Sequence, residues 1–335
     1  MINKMKILVV RIGRAGDMVM ITPALKALTK NYPDAEITIL TSPDGRRVLN
    51  GFHPQIKNIW VLDRKKLLPF IQRKKIMQDI QQSDFKHIFC FETKASFKKL
   101  FNVSKAQQHI LQVIEDSQIN FAERCLHLVD PALDRNHNPV YLPVQQDAKK
   151  KSDDILKSVN VNQDTFIIGM HPSFSGLAKG FGRKGKSFIH KSWPENHWAN
   201  LAKLFDQYAK QNKIDIKIII DLLPDDEELG QKIVKASNDS VNLLIPPPNF
   251  ERYKATLSRM NLLIAPDTGP AHIAAAVDTN LVALFSGHNP DDCAPYTSIN
   301  KLSVLRAEDC QHPELGLGAI SAEDVFQASK KFLPG

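Results

Sequence analysis

The chain has 335 residues and a mass of 37.7 kDa, a length that predicts about two domains. Its 43% hydrophobic and 24% charged residues are typical of folded globular proteins and exclude collagen-like, disordered and disulfide-scaffold classes. No apolar run approaches the roughly 18 residues of a membrane-spanning helix, and the first apolar stretch is too short for a signal peptide. The four cysteines lack Cys-x-x-Cys spacing, which argues against a zinc ribbon or disulfide framework. A cytoplasmic location is therefore expected.

Positive charge is concentrated in the first half of the chain. Residues 1–160 contain 26 Lys and Arg against 16 Asp and Glu, whereas residues 161–335 contain 18 against 20. The basic runs are Arg64–Lys66, Arg73–Lys75, Lys98–Lys99 and Lys149–Lys151. Such a surface attracts phosphates, acidic sugars or an anionic bilayer, although each run could simply be a solvated basic face. No nucleic-acid-binding motif is present, so nucleic acid is not an expected partner.

The first elements predict a parallel α/β sheet. A buried strand is expected at Met5–Val10, followed by a glycine-containing turn, Arg11–Gly16, and a helix from about Asp17 to Asn31. Further strands are predicted at 36–41, 58–62 and 87–91. Polar stretches of helical character separate them, and this alternation is typical of a parallel sheet.

A second series of the same kind follows a polar stretch at residues 145–164. We therefore predict an N-terminal Rossmann-like domain over 1–160 and a C-terminal one over 161–335. Strands of the second domain are expected at Phe166–Met170, 216–220, 241–245, 261–265 and 281–285. A closing amphipathic helix is predicted over Ser321–Phe332, with a capping pattern formed by Ser321 and Asp324. The predicted fold class is α/β, with two doubly wound domains facing a central cleft lined by the carboxyl ends of the strands.

The densest motif lies between residues 262 and 276. A strand ends near Asp267 and a helix begins around Gly269, so backbone N–H groups and the positive end of the helix dipole suit a diphosphate. Thr268 could add a hydroxyl donor, and His272 lies one turn into the helix. The structural alternative makes Asp267 or Thr268 an ordinary N-cap and His272 a satisfied surface histidine.

Three motifs together resemble glycosyltransferase family 9, the ADP-heptose:lipopolysaccharide heptosyltransferases. They are Asp267-Thr-Gly-Pro-Ala-His272 with the following Ala-rich helix, Arg11-Ile-Gly-Arg-Ala-Gly-Asp17 with Thr22-Pro-Ala-Leu25, and Lys191-Ser-Trp-Pro194 with Trp198. They occur in the family's order over most of the chain. The resemblance implies the GT-B fold, which is the two-domain architecture already predicted.

The resemblance also implies roles for individual residues. Asp17 corresponds to the proposed general base for the acceptor hydroxyl, and Lys191 to a lysine that contacts the donor phosphate. The donor-binding residues would be Gly16, Asp267, Thr268, Gly269, Pro270 and His272. The structural alternatives are a first-turn acid favoured by the helix dipole for Asp17 and a solvated lysine for Lys191.

The function implied is inverting, metal-independent transfer of heptose from ADP-heptose to the acidic lipopolysaccharide inner core, with no cofactor beyond the nucleotide-sugar donor. Candidate acceptor contacts are Arg14, Arg64, Lys65 and Lys66. Because the first half is basic, a secondary hypothesis places the protein peripherally on the inner leaflet of the membrane.

Other functions remain open at this point. Gly180–Ser187 matches the P-loop pattern and Ile218–Asp221 could pass as a weak Walker B strand, which would indicate an ATP-dependent phosphotransferase. However, a P-loop directly follows a strand, and this motif does not. Another nucleotide-sugar transferase or a silent nucleotide-sugar-binding protein is also compatible with the fold. The spacer before Lys191 is longer than the family's, and the ribose contact could be any acid within Asp225–Glu228.

Overall fold

The computed structural model describes residues 4–63, 69–114, 118–174 and 190–335. The chain divides into two compact units, Met1–Pro143 and Val144–Gly335. Among the described residues, no helix combines the length and the apolar character needed to cross a membrane.

The first unit is a five-stranded parallel sheet with helices between its strands. The strands are β1 (Lys6–Val10), β2 (Glu36–Thr41), β3 (Ile56–Val61), β4 (Phe85–Cys90) and β5 (Gln107–Ile110), in the spatial order β3-β2-β1-β4-β5. The helices are α1 (Ala15–Val19), α2 (Thr22–Asn31), α3 (Pro43–Leu49), α4 (Pro69–Gln82), α5 (Ala95–Lys98) and α6 (Phe121–Val129). The central strand β1 is almost completely buried, as expected for a strand with neighbours on both sides and helices on both faces.

The predicted helix over residues 17–31 is wrong in one respect, because it is interrupted. The helix α1 ends at Val19 and α2 begins at Thr22. Pro23 explains the break, since its ring clashes with the carbonyl group four residues earlier and its nitrogen has no hydrogen to donate. The side chain of Thr22 donates to the carbonyl oxygen of Val19 (2.7 Å). As a result Asp17 lies within a separate, short helix.

The second unit is a six-stranded parallel sheet. Its strands are β6 (Phe166–Met170), β7 (Ile216–Asp221), β8 (Val241–Leu244), β9 (Leu262–Pro266), β10 (Asn280–Phe285) and β11 (Leu302–Arg306), in the order β11-β10-β9-β6-β7-β8. Its helices are α7 (Gln146–Lys157), α8 (Glu195–Asn212), α9 (Glu227–Ala236), α10 (Phe250–Arg259), α11 (Gly269–Ala276), α12 (Pro290–Cys293) and α13 (Ala322–Ser329). The predicted α/β class with two doubly wound domains is confirmed.

The division between the units falls after Pro143, whereas the sequence suggested a boundary after residue 160. The polar stretch that appeared to be a linker is the helix α7, and α7 packs against α10 of the second unit. Ser152 Oγ hydrogen-bonds Thr256 Oγ1 at 3.0 Å, and Asp153 pairs with Arg259 at 3.3 Å. Its apolar positions are few, so its sequence alone resembles a connecting segment.

The closing helix is confirmed, although α13 is shorter than predicted. Ser321 Oγ accepts a hydrogen bond from the backbone N–H of Asp324 (3.1 Å), and the Asp324 carboxylate accepts one from the N–H of Ser321 (3.2 Å). This reciprocal pair satisfies two otherwise unpaired donors at the helix start. The last residues, Lys330–Phe332, continue as a 3₁₀ turn.

Candidate active site

In the first unit, charged side chains gather where β1 and β4 end. Arg11 follows β1, and Glu92 lies two residues beyond the end of β4. The guanidinium group of Arg11 donates to the carboxylate of Asp17 (2.9 Å) and to the carbonyl oxygen of Phe91 (3.2 Å). It also lies 3.7 Å from the Glu92 carboxylate. Because β1 and β4 are parallel neighbours, their carboxyl ends bring these residues together.

The carboxylate of Asp17 is fixed by two hydrogen bonds and is still open to solvent. Oδ1 accepts from Arg11, and Oδ2 accepts from the backbone N–H of Arg14 (2.8 Å). The side chain is 40% exposed. The structural role considered for Asp17 is confirmed, because its carboxylate accepts a backbone hydrogen bond at the start of α1. Its exposure leaves the same carboxylate accessible to a substrate hydroxyl.

Two further residues shape this loop. Glu92 is 5% exposed and accepts a hydrogen bond from the backbone N–H of Ile12 at 2.7 Å, which fixes the chain just after β1. Gly13 lies so close to Asp17 that an added Cβ would come within 2.8 Å of Asp17 Cγ. Only glycine fits there without moving the Asp17 side chain. A lone acid after a buried strand is the signal by which Glu92 could have been found in the sequence.

The remaining candidates in the first unit are less informative. Arg14 precedes α1 and is exposed, while Gly16 is buried within α1 and its carbonyl oxygen accepts from Met20 N (3.1 Å). Arg64, Lys65 and Lys66 lie outside the described residues.

In the second unit, Asp267 stands between β9 and α11 and is surrounded by cationic or protonatable groups. Its two carboxylate oxygens lie 3.8 Å from His272 Nε2 and 3.9 Å from His288 Nδ1. Burial acts to raise the pKa of Asp267, but His272, with the charges of Lys191 and His288, outweighs it, so the pKa lies below its usual value. Asp267 is therefore an anion at neutral pH, set among three potential cations.

The start of α11 has the geometry that the sequence predicted. Thr268 occupies the N-cap position, but its hydroxyl donates back to the carbonyl oxygen of Pro266 (3.1 Å) and accepts no hydrogen bond from the helix. Gly269 and Pro270 form the first turn. The side-chain capping role considered for Thr268 is thus not realised.

His272 is buried, and the alternative that made it a surface histidine is wrong. It is 6% exposed. Within the described part of the chain, its Nδ1 atom has no hydrogen-bond partner. A buried polar atom without a partner is costly, and a bound ligand or water is one way to satisfy it.

The Lys191 motif combines a candidate site residue with residues that anchor the segment. His190 Nδ1 hydrogen-bonds Ser286 Oγ at 2.7 Å, which ties the turn before Lys191 to the residue that follows β10. Trp193 is buried and its ring N–H donates to the carbonyl oxygen of Ile320 (2.9 Å), and it packs edge-to-face on Trp198. Lys191 is thereby held near Asp267 by an anchored segment.

The acids after β7 are divided by their surroundings. Asp226 is half-buried and accepts a hydrogen bond from Ser173, which follows β6 (2.6 Å). Burial raises the pKa of Asp226 against the effect of this bond. Glu228 instead pairs with Lys232 on the surface (2.9 Å). Asp225 and Glu227 are exposed.

The features that suggested a phosphotransferase find no support in the described residues. Asp221, the acid of the supposed Walker B strand, is buried and forms an ion pair with Arg252, so its carboxylate is already occupied. Gly180–Ser187 falls outside the described residues. Within the described ranges, no group of three or more His, Cys, Asp or Glu side chains could hold a metal ion.

Comparison with known proteins agrees with the fold and the motifs. The chain is 23% identical over 344 residues to Lipopolysaccharide heptosyltransferase 3 of Escherichia coli, covering 95% of this chain and 96% of that protein. It is 26% identical over 125 residues to the Lipopolysaccharide core heptosyltransferase OpsX of Haemophilus influenzae, covering 37% of this chain and 35% of that relative.

Among solved structures, the E. coli heptosyltransferase WaaC with ADP superimposes with a TM-score of 0.68 at 17% identity, covering 98% of this chain and 100% of that one. This likeness concerns the fold. The family model for glycosyltransferase family 9 (heptosyltransferase) matches residues 118–315, more than half of the chain. The chain therefore belongs to glycosyltransferase family 9, the heptosyltransferases.

Proposed function

We propose that this enzyme transfers heptose from ADP-heptose to a Kdo or heptose residue of the lipopolysaccharide inner core, with inversion at the anomeric carbon. The observation that carries the proposal is the fixed but exposed carboxylate of Asp17 at the carboxyl end of β1. General base catalysis needs a carboxylate with a defined orientation that a hydroxyl can still reach. Family membership, and relatives named as heptosyltransferases, support the choice of sugar.

The transfer is a single displacement. The acceptor oxygen attacks the anomeric carbon, its proton passes to Asp17, and the bond between the anomeric carbon and the diphosphate oxygen breaks. ADP leaves with the electron pair of that bond. The first unit would bind the acceptor, with Arg14, Arg64, Lys65 and Lys66 as candidate contacts for its acidic groups.

The departing diphosphate is assigned to the second unit. Lys191 would supply a fixed positive charge, and Gly269 and Pro270 would present the positive end of α11 to the phosphates. Thr268, His272 and Asp267 would complete the donor site in this unit, and Gly16 is a further predicted donor contact. The unpartnered Nδ1 of His272 supports this assignment, since a ligand oxygen would satisfy it. Lys191 and the start of α11 would neutralise the diphosphate without a metal ion, and no cofactor is proposed.

The proposed acceptor is anchored in a membrane, so we also propose that the enzyme works in the cytoplasm, peripherally on the inner leaflet. The excess of basic residues in the first half supports this location. Within Asp225–Glu228, Asp226 is half-buried and the other three acids are exposed, which favours Asp226 as the ribose contact.

A ligand panel followed by a transfer assay tests the proposal. Thermal unfolding is measured with ADP, ADP-heptose, UDP- and dTDP-sugars, and ATP with magnesium, because a ligand that binds only the folded state raises stability. We expect stabilisation by the adenine diphosphates without magnesium, and transfer of heptose to an inner-core acceptor with inverted configuration by NMR. Selective stabilisation by Mg-ATP, lost in Lys186→Ala, would instead indicate a phosphotransferase. Donor binding without transfer to any acceptor would indicate a silent binding protein.

A further inference from the structure

The outer surface of α4 combines large exposed apolar side chains with lysines. Phe70 and Ile71, in the first turn, are 64% and 53% exposed. Lys74 and Lys75 follow them one turn later and are also exposed. Residues four apart are neighbours on a helix surface, so each apolar side chain has a lysine next to it on the outward side.

A second basic element lies against α4. The guanidinium group of Arg73 is 5.6 Å from the ring of Phe97 in α5, and a surface groove between the two helices is lined by Arg73, Met77, Ser96, Lys99 and Leu100. The segments 69–78 and 93–105 contain no Asp or Glu. We call Phe70, Ile71, Lys74, Lys75, Lys98 and Lys99 the basic apolar face.

The position of this face is fixed relative to Asp17. The side chain of Gln72 donates to the carbonyl oxygen of Val61 (2.6 Å) and accepts from the N–H of Asp63 (3.1 Å), which ties the start of α4 to the end of β3. The helix α5 follows the end of β4. Both elements therefore begin at the carboxyl edge of the sheet, the same edge at which Asp17 lies.

We propose that the basic apolar face docks this enzyme on an anionic phospholipid bilayer. Phe70 and Ile71 insert at the boundary between headgroups and acyl chains, and the lysines contact the lipid phosphates, the arrangement found in interfacial helices. This inference rests on the proposed function in one respect. If the acceptor is embedded in the membrane, docking through this face puts the acceptor on the side of the sheet that holds Asp17. A soluble protein partner would need both an acidic patch and an apolar pocket for Phe70 and Ile71, whereas an anionic bilayer supplies headgroup charge and acyl chains together.

The chain provides a matched control for each part of the face. The lysines of α7, Lys149–Lys151, are equally exposed but lie among Asp147, Asp153 and Asp154, and α7 has no exposed large hydrophobic residue. Ile299 in the second unit is 69% exposed and lies outside the proposed face. Neither exposed lysines nor an exposed apolar residue alone defines the proposed surface, which requires both side by side.

The experiment is sedimentation of the purified protein with vesicles of phosphatidylcholine, alone or mixed with phosphatidylglycerol, without either substrate. The wild type is expected to bind the anionic vesicles, with affinity falling as salt increases. Phe70→Ser with Ile71→Ser, and separately Lys74→Glu with Lys75→Glu, should each weaken binding by about tenfold or more. Ile299→Ser, and Lys149→Glu with Lys150→Glu, should bind like the wild type.

The outcomes separate this proposal from the proposed function. Absence of wild-type binding to anionic vesicles overturns it, as does equal loss of binding in the face and control variants, or no loss in the face variants. With a soluble inner-core fragment as acceptor, the face variants should keep the wild-type transfer rate. Failure of transfer in every protein would contradict the proposed function and leave the vesicle result as it stands.

Discussion

The two units of this protein place a carboxylate at the carboxyl edge of a parallel sheet in different ways. In the first unit, Asp17 accepts direct hydrogen bonds of 2.8 and 2.9 Å. In the second, the nearest histidine nitrogens lie 3.8 and 3.9 Å from Asp267, and His272 Nδ1 is unpartnered in the described part of the chain. Within the described residues each arrangement has a buried nitrogen without a partner, Arg11 Nε in the first and His272 Nδ1 in the second, but only the carboxylate of Asp17 is held by direct hydrogen bonds. This difference agrees with the proposed roles, in which Asp17 is a preorganised base and Asp267 belongs to the donor site.

The largest expected effect comes from removing Asp17, the proposed general base, in the first unit. Asp17→Asn keeps an acceptor for the Arg14 N–H but cannot take a proton, so kcat should fall by about 10²–10⁴, with the donor Kd unchanged. Initial rates and calorimetry measure the two quantities. Asp44→Asn is the matched control, since Asp44 is similarly exposed and also pairs with an arginine. Full turnover by Asp17→Asn would show that Asp17 is not the general base.

A smaller loss, of a different kind, is expected from the second unit. Lys191→Ala removes a charge that would contact the donor diphosphate, so the donor Kd should rise about 10- to 100-fold, as measured by calorimetry with ADP. Lys203→Ala changes an exposed lysine on α8 and should leave the Kd as it is. If both variants bind ADP like the wild type, the donor phosphates are not held near Asp267.

Gly13→Ala tests how strictly Asp17 is positioned. The added methyl group overlaps the Asp17 side chain, so the loop must shift, with an expected destabilisation of about 1–3 kcal/mol and a fall in kcat smaller than that of Asp17→Asn. At Gly318 the nearest atom to an added Cβ is 3.5 Å away, an ordinary contact. Gly318→Ala should therefore melt and turn over like the wild type, and similar behaviour of Gly13→Ala would show that the tight approach is unimportant.

The smallest effect uses Cys293 as a probe of the charge on Asp267. Burial, together with the negative charges of Asp267 and Asp292, raises the pKa of the Cys293 thiol to about 12. Because the thiolate is the reactive form, iodoacetamide labelling of the native protein should keep accelerating beyond pH 10. Asp267→Asn removes one negative charge, so labelling at a fixed pH should be faster than in the wild type. Slower or equal labelling, measured by mass spectrometry, would contradict an anionic Asp267.

Much of the fold and part of the site followed from local pattern. The buried strands β1, β2, β4, β6, β7, β9 and β10 were predicted within two residues, because strands buried on both faces appear as apolar runs. The edge strands β3 and β8 were also predicted within two residues, whereas the edge strands β5 and β11, whose sequences are partly polar, were not predicted. The helix start at Gly269 and the cap at Ser321 were predictable because the signals lie within four residues.

The sequence by itself determined the α/β class and the family, and it pointed to Asp17, Lys191 and the segment around Asp267. Only the tertiary structure brought Arg11 and Glu92, which are 81 positions apart in the chain, to the same carboxyl edge of the sheet. It also placed Lys191, His272 and His288 around Asp267. The reason is that strand order decides which loops become neighbours. Parallel strands distant in sequence end side by side, and no local pattern encodes that order.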